Sequence, residues 1–220
     1  MAFPTSAIYD TCIRANEAPL NIASGGSAWA VSAGLGGVGL TACQILSNKA
    51  APQSAASNQY LDVVDAADCE HYCTIDTMGS EIDLIIRLKD QANITTIDGY
   101  GIQVFPASVR ISRIDNVVAT TLNTFVQAIS ANDGVGISAV GSTLSAYYRS
   151  GLGGAWTLLG TASDATYAAG GRKGLTMAGS GSRVSNLGGG AIIPDSQPME
   201  LRGLQVAGLR QWTPKSGRLF

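Results

Sequence analysis

The only histidine of the chain lies between two thiols, in Cys69-Glu70-His71-Tyr72-Cys73, a set of soft donors that invites a metal. The run reads as a strand, and strand residues four apart stand ~13 Å apart along one face. That is too far for a disulfide and too far to share one tetrahedral zinc with bonds of ~2.3 Å. Cys69 and Cys73, like Cys12 and Cys43, are therefore expected as small buried hydrophobes in a reducing compartment. His71 is expected as a packed or surface imidazole, and no metal-binding residue is assigned.

Gly34-Leu35-Gly36-Gly37-Val38-Gly39 fits the G-x-G-x-x-G spacing that cradles a pyrophosphate, and Asp62 lies 23 residues past Gly39. The fingerprint needs a hydrophobic strand before it and βαβ units after it. Ser24-Gly25-Gly26-Ser27 is a poor strand and no crossover helices follow, so a glycine-rich loop leading into a strand is expected instead. Gly170-Gly171-Arg172-Lys173-Gly174 lacks the Ser or Thr of a phosphate loop. Asn93-Ile94-Thr95 is a glycosylation sequon only for a secreted chain, and MAFPTSAIYD has neither the basic residue nor the apolar core of a secretory signal.

From Asp98 to Gly190 the chain reads largely as a β meander. Strands are predicted over Tyr100–Phe105, Val109–Ile114, Val135–Val140, Thr143–Arg149, Trp156–Leu159, Lys173–Met177 and Arg183–Leu187, separated by Gly, Asp, Asn and Ser. Alternation places Tyr100, Ile102 and Val104 on one face, as it does Val135, Ile137 and Ala139, and Leu144, Ala146 and Tyr148. Gly151 to Gly154 is the expected hairpin loop. One segment, Val118–Ile129, has a helical period, with Leu122, Phe125, Val126 and Ile129 sharing a face. The pattern predicts an all-β, antiparallel two-sheet sandwich over residues 1–190, with 191–220 as a C-terminal extension.

Charged residues are 14% of the chain, against the roughly 25% usual in soluble domains, so neutral strands and turns rather than salt-bridged helices build it. A net charge of -2 gives no reason to expect a nucleic acid, and the longest uncharged segment is too rich in Gly, Ser and Asn to span a membrane. Charge is uneven: Met199 to Phe220 carries four basic residues and one acid.

The order of several short runs carries a resemblance. Tyr9-Asp10-Thr11-Cys12-Ile13-Arg14-Ala15-Asn16, Trp29 and Gln44-Ile45-Leu46-Ser47-Asn48 are followed by Asp98-Gly99-Tyr100 and Gly141-Ser142-Thr143-Leu144-Ser145-Ala146-Tyr147. Ala155-Trp156-Thr157-Leu158-Leu159-Gly160 and Arg183-Val184-Ser185-Asn186-Leu187-Gly188 close the series. Together they resemble concanavalin A-like (LamG-like) jelly-roll modules of the kind common in virion proteins of tailed bacteriophages. Cys12 stands where that pattern usually has an aromatic, and residues 191–220 have no counterpart in it.

Some proteins of this fold are glycosidases, and Glu81-Ile82-Asp83-Leu84-Ile85-Ile86 opens like the E-x-D-x-(x)-E signature of laminarinase-type enzymes. Retaining hydrolysis needs a second carboxylate ~5 to 5.5 Å from the nucleophile. The signature places it at Ile85 or Ile86, so no catalytic residue is assigned; Glu81 is expected to start a strand on its solvated edge and Arg87 to pair with a nearby acid.

Two non-catalytic functions follow. The first is a virion structural protein, a decoration, tail or fibre component that joins other virion proteins and forms a homo-oligomer. Its assembly arm would be Leu201, Arg202, Leu204, Arg210, Trp212, Lys215, Arg218 and Phe220, each large apolar side chain contributing roughly 1.5 to 3 kcal/mol when buried. The alternative is a carbohydrate-binding module that reads surface glycans through an aromatic platform of Tyr60, Tyr147 and Trp156. Calcium is the cofactor such a module would take, with Asp62, Asp65 and Asp68 as its oxygen ligands.

Overall fold

The computed structural model describes residues 2–30, 42–89 and 97–192. Fifteen strands form among them: β1 (Ile8–Asp10), β2 (Trp29–Ala30), β3 (Cys43–Ile45), β4 (Ala50–Pro52), β5 (Ala56–Leu61), β6 (Cys69–Thr77), β7 (Glu81–Lys89) and β8 (Asp98–Phe105). They continue with β9 (Ser108–Asp115), β10 (Val118–Val126), β11 (Gly134–Val140), β12 (Thr143–Arg149), β13 (Trp156–Ser163), β14 (Arg172–Ala178) and β15 (Arg183–Ala191). One sheet has eight strands in the order β13-β12-β11-β6-β15-β4-β3, with β1 also on β15. The other has seven, in the order β10-β9-β8-β7-β14-β5-β2. Every pairing is antiparallel, so the parallel crossovers a dinucleotide site requires are missing among the described residues. The Gly34–Gly39 run and the Asn93 sequon lie outside those residues.

Alternation sorts the side chains as expected. Ile82, Leu84 and Ile86 of β7, Tyr100, Ile102 and Val104 of β8, and Leu175 and Met177 of β14 face inward from the seven-stranded sheet. They meet Cys69, Cys73 and Ile75 of β6, Val135, Ile137 and Ala139 of β11, and Leu144 and Ala146 of β12. Burying each large side chain contributes about 1.5–3 kcal/mol, so the common interior is what holds the two layers together.

Two polar groups inside this core, Asp10 and His71, are fully matched. The Asp10 carboxylate accepts from Trp29 Nε1 (2.8 Å), the Cys12 amide (2.8 Å) and Arg14 Nη1 (2.7 Å). His71 is fully buried, with Nδ1 3.2 Å from the Ile85 carbonyl and Nε2 2.8 Å from the Tyr9 hydroxyl. A carbonyl only accepts, so Nδ1 carries the proton and Nε2 accepts from Tyr9. Both ring nitrogens are thereby used, and all four thiols are buried and free.

Two expectations need correction. Val118–Ile129 is not helical: Asn116 and Val117 take positive φ (48° and 65°), the geometry of a tight two-residue hairpin turn, and β10 folds back along β9. Pairing shifts between Thr121 and Asn123, so Leu122 is an extra residue in the strand. Leu122 and Phe125 both reach the core because of that bulge, and the three-residue interval between them imitates a helical period. Arg87 does not pair chiefly with an acid either; it is fully buried and donates to the carbonyls of Ala67, Tyr167 and Gly141 (2.8, 2.9 and 2.9 Å), while Asp68 stands 3.9 Å away. One guanidinium thus fastens three loops at one end of the sandwich.

Candidate functional site: the outer face of the seven-stranded sheet

The residues between the inward positions of β7 point out of the sandwich. Glu81, Asp83 and Ile85 alternate with Ile82, Leu84 and Ile86, so Glu81 lies on the outer face of a central strand and not at a solvated edge. Register then carries one polar row across the sheet: Asn58 of β5 opposes Thr176 of β14, Thr176 opposes Asp83, Asp83 opposes Gln103 of β8, and Gln103 opposes Arg110 of β9. One step along, Tyr60, Gly174, Ile85, Gly101 and Ser112 form a parallel row. Thr176, Asp83 and Gln103 of the first row and Ile85, Gly101 and Ser112 of the second line a cleft of about 170 Å³, bounded on one side by Val117 and Ala119.

Hydrogen bonds order the floor of this cleft. Ser112 Oγ donates to Gln103 Oε1 (2.9 Å), and Gln103 Nε2 donates to Glu81 Oε1 (3.0 Å), which fixes the amide's orientation. Burial first, and then the charge and hydrogen bond of Glu81, raise the Asp83 carboxyl well above the usual carboxylate range. Asp83 Oδ1 and, at the end of the row, Asn58 Oδ1 have no hydrogen-bond partner among the described residues. The arrangement offers donors and acceptors in a line above apolar Ile85 and Ile114, which is chemistry suited to hydroxyl groups.

The three aromatic residues expected to form one platform are split between the two sheets. Tyr60 stands on the outer face of the seven-stranded sheet, packed beside Ile85 and Leu88 with the Arg172 guanidinium 5.8 Å from its ring centre. Tyr147 and Trp156 lie on the outer face of the other sheet, where Phe3 stacks on Tyr147 and meets Trp156 edge-on. The cause is pairing that local sequence does not reveal: β5 joins β14, whereas β12 and β13 pair with each other.

Asp62, Asp65 and Asp68 do not fit a calcium site. Asp62 is bound by Arg172 (2.8 Å), Asp65 by the buried Lys173 (2.5 Å), and Asp68 accepts from the Gly141 amide (2.9 Å). Their oxygens are turned toward separate partners, and no group of three or more His, Cys, Asp or Glu side chains converges among the described residues. The arm residues Leu201, Arg202, Leu204, Arg210, Trp212, Lys215, Arg218 and Phe220 lie outside the described residues.

Asn58, Gln103, Ser112 and Thr176 were not singled out from sequence. The readable signal was the polar residue at an outward position of each central strand, such as Gln103 between Ile102 and Val104.

No family model matches the chain, and no curated protein matches it in sequence. Solved structures do. The carbohydrate binding module CBM66 from Bacillus subtilis is similar over 75% of this chain and 92% of its own, with TM-score 0.52 and 16% identity. The exoplasmic/lumenal domain of VIP36 in its Ca2+/Man-bound form is similar over 78% and 86%, with TM-score 0.58 and 9% identity. A β-1,3-1,4-glucanase (lichenase) derived from a mouse hindgut metagenome is similar over 75% and 93%, with TM-score 0.52 and 9% identity. At such identities the likeness defines the fold alone: the protein is an all-β, antiparallel two-sheet jelly-roll sandwich of the concanavalin A-like fold.

Proposed function

We propose that this protein is a non-catalytic carbohydrate-binding module whose glycan lies across the outer face of the seven-stranded sheet. The observation that carries this reading is the polar row from Asn58 to Arg110, which crosses five strands and has acceptors that no group among the described residues fills. Tyr60 stands on the same face, one row away, where its ring can meet the apolar face of a sugar. Several proteins of similar fold are named for carbohydrate binding or carry a bound sugar in their names, which supports the same ligand class. The glucanase likeness does not extend to its chemistry, because Ile85 occupies the next outward position after Glu81 and Asp83 and brings no second carboxylate.

The test is retention on a glycan array followed by titration of whichever glycan is retained. Asp83→Ala and Gln103→Ala are each expected to weaken binding at least tenfold with the fold intact. Retention of the intact chain on no glycan would reject the proposal. Assembly through Met199 to Phe220 remains a separate proposal, supported by the positive charge of that segment and its Leu and Trp content. It predicts that deleting the segment turns an oligomer into a monomer in light scattering.

A further inference from the structure

On the outer face of the eight-stranded sheet, Gly134 and Gly136 of β11 and Gly188 of β15 leave the surface lowered in one place. A Cβ at Gly136 would collide with the Phe3 ring, one at Gly188 with the Tyr72 ring, and one at Gly134 with Trp156. The trough is walled by Tyr72 and Trp156, whose ring centres are 5.8 Å apart. Phe3 lies flat in it, 3.9 Å from Tyr147 and only 1° from parallel. The segment that brings Phe3 there is tied down by Glu70, whose Oε1 accepts from the amides of Thr5 (2.7 Å) and Ser6 (2.6 Å), and by Tyr72, which donates to the Ser6 carbonyl (2.8 Å).

This strap fills only part of the trough. Beside Phe3 the depression continues as an open cleft of about 300 Å³, in which Glu70, Ser138, Thr143 and Ser145 stand among Tyr147, Val140, Ile192 and the strap itself. A carboxylate and three hydroxyls converging beside an aromatic floor are the parts of a small-ligand site, more than a cap over a sheet would need. Glu70 is 1% exposed, yet all of its hydrogen bonds to the strap fall on one oxygen.

We infer that this trough is a second sugar-binding site, and that Phe3 is its built-in competitor. The Phe3 ring holds the place where the C–H face of a pyranose would stack on Tyr147, and the Thr5 and Ser6 donors stand where sugar hydroxyls would reach Glu70. The choice of a sugar as ligand rests on the carbohydrate-binding reading above; the site itself does not. Binding requires the strap to lift, so apparent affinity is reduced by the fraction of molecules in which it is closed.

Calorimetric titration of the full chain with cellotetraose, laminaritetraose and mannotetraose tests this. Phe3→Ala is expected to raise the affinity for at least one of them tenfold or more. Adding Tyr147→Ala should abolish that gain, while adding Gln103→Ala should leave it, which separates this site from the seven-stranded face. If Phe3→Ala does not melt cooperatively, Phe3→Leu serves, since it keeps an apolar contact but loses the flat ring. No gain with any of the three sugars in a folded variant overturns the inference. So does a gain that depends on Gln103 and not on Tyr147, or a gain seen only for the peptide Ala-Phe-Pro-Thr-Ser, which would make the trough a peptide groove.

Discussion

The two outer faces of the sandwich are built by the same alternation and end in opposite states. On the seven-stranded sheet the outward positions of the central strands include Asp83, Gln103, Ser112 and Thr176, and among the described residues the cleft they line is bounded on one side by Val117 and Ala119. On the eight-stranded sheet a glycine and aromatic trough lies beside Glu70, Ser138 and Ser145, and the chain's own N-terminal segment lies on the aromatic part of it. An apolar outer face must be covered or it becomes a sticky surface, whereas a face of hydroxyl, amide and carboxyl groups is stable in water. The difference teaches where to look for ligands: the polar face is available as it stands, and the aromatic face only after something moves.

The largest effect is expected between the faces, at the buried imidazole that ties β6 to the backbone of β7. Burial, and then the charge of Lys173, push the His71 pKa down to about 3, below its unfolded value of about 6.5. Between those values the unfolded chain binds a proton that the folded chain refuses. The stability His71 contributes is therefore present above pH ~6.5 and is lost as pH falls toward 3. His71→Gln is expected to lose much less Tm than the parent between pH 7 and pH 4; parallel Tm profiles would show that the ring is protonated in place.

A smaller effect separates the faces directly. Gly136→Val forces a side chain into the space of the Phe3 ring and the Tyr72 Cβ, and such overpacking costs about 1–3 kcal/mol. Gly174→Ala on the other face meets only Ile85 and Leu88 side chains at 3.3 Å or more, and a change of that kind stays within about 0.5 kcal/mol. Urea unfolding midpoints measure both. Equal shifts would mean that the strap contributes nothing to the fold and that the two faces differ less than their residues imply.

What the sequence disclosed follows from the range of the interactions involved. Strands such as Tyr100–Phe105 and Thr143–Arg149 were legible because alternation is local and both lie in the sandwich as read. Val118–Ile129 misled because one bulged residue, Leu122, shifts the phase of a strand. Tyr60, Tyr147 and Trp156 could be named as rings but not placed, since the sheet each belongs to is decided by partners such as β14 for β5, more than a hundred residues on. Asp62, Asp65 and Asp68 resembled a ligand cluster because the cations that hold Asp62 and Asp65, Arg172 and Lys173, are equally remote. Phe3 gave no signal at all, because its meaning depends on Tyr147 and on glycines it meets only in the fold.

The smallest effect concerns the buried Asp83 carboxyl beside Glu81, and it bears on whether the open face is tuned for a ligand at some cost to the fold. The Asp83 carboxyl titrates well above the usual range because burial, followed by the neighbouring Glu81, penalises its charged form. A raised carboxyl pKa leaves stability complete below the unfolded value of about 3.9 and removes it as pH rises through the folded value. Asp83→Asn keeps the shape but cannot ionise, so it escapes that loss. Its Tm relative to the parent is expected to rise from pH 4 to pH 9, while its affinity for a retained glycan falls, because the amide replaces one carboxyl oxygen of the row with a donor that cannot accept. A Tm difference that stays constant with pH would show that the Asp83 carboxyl is not raised, and would leave the open face an ordinary solvated surface.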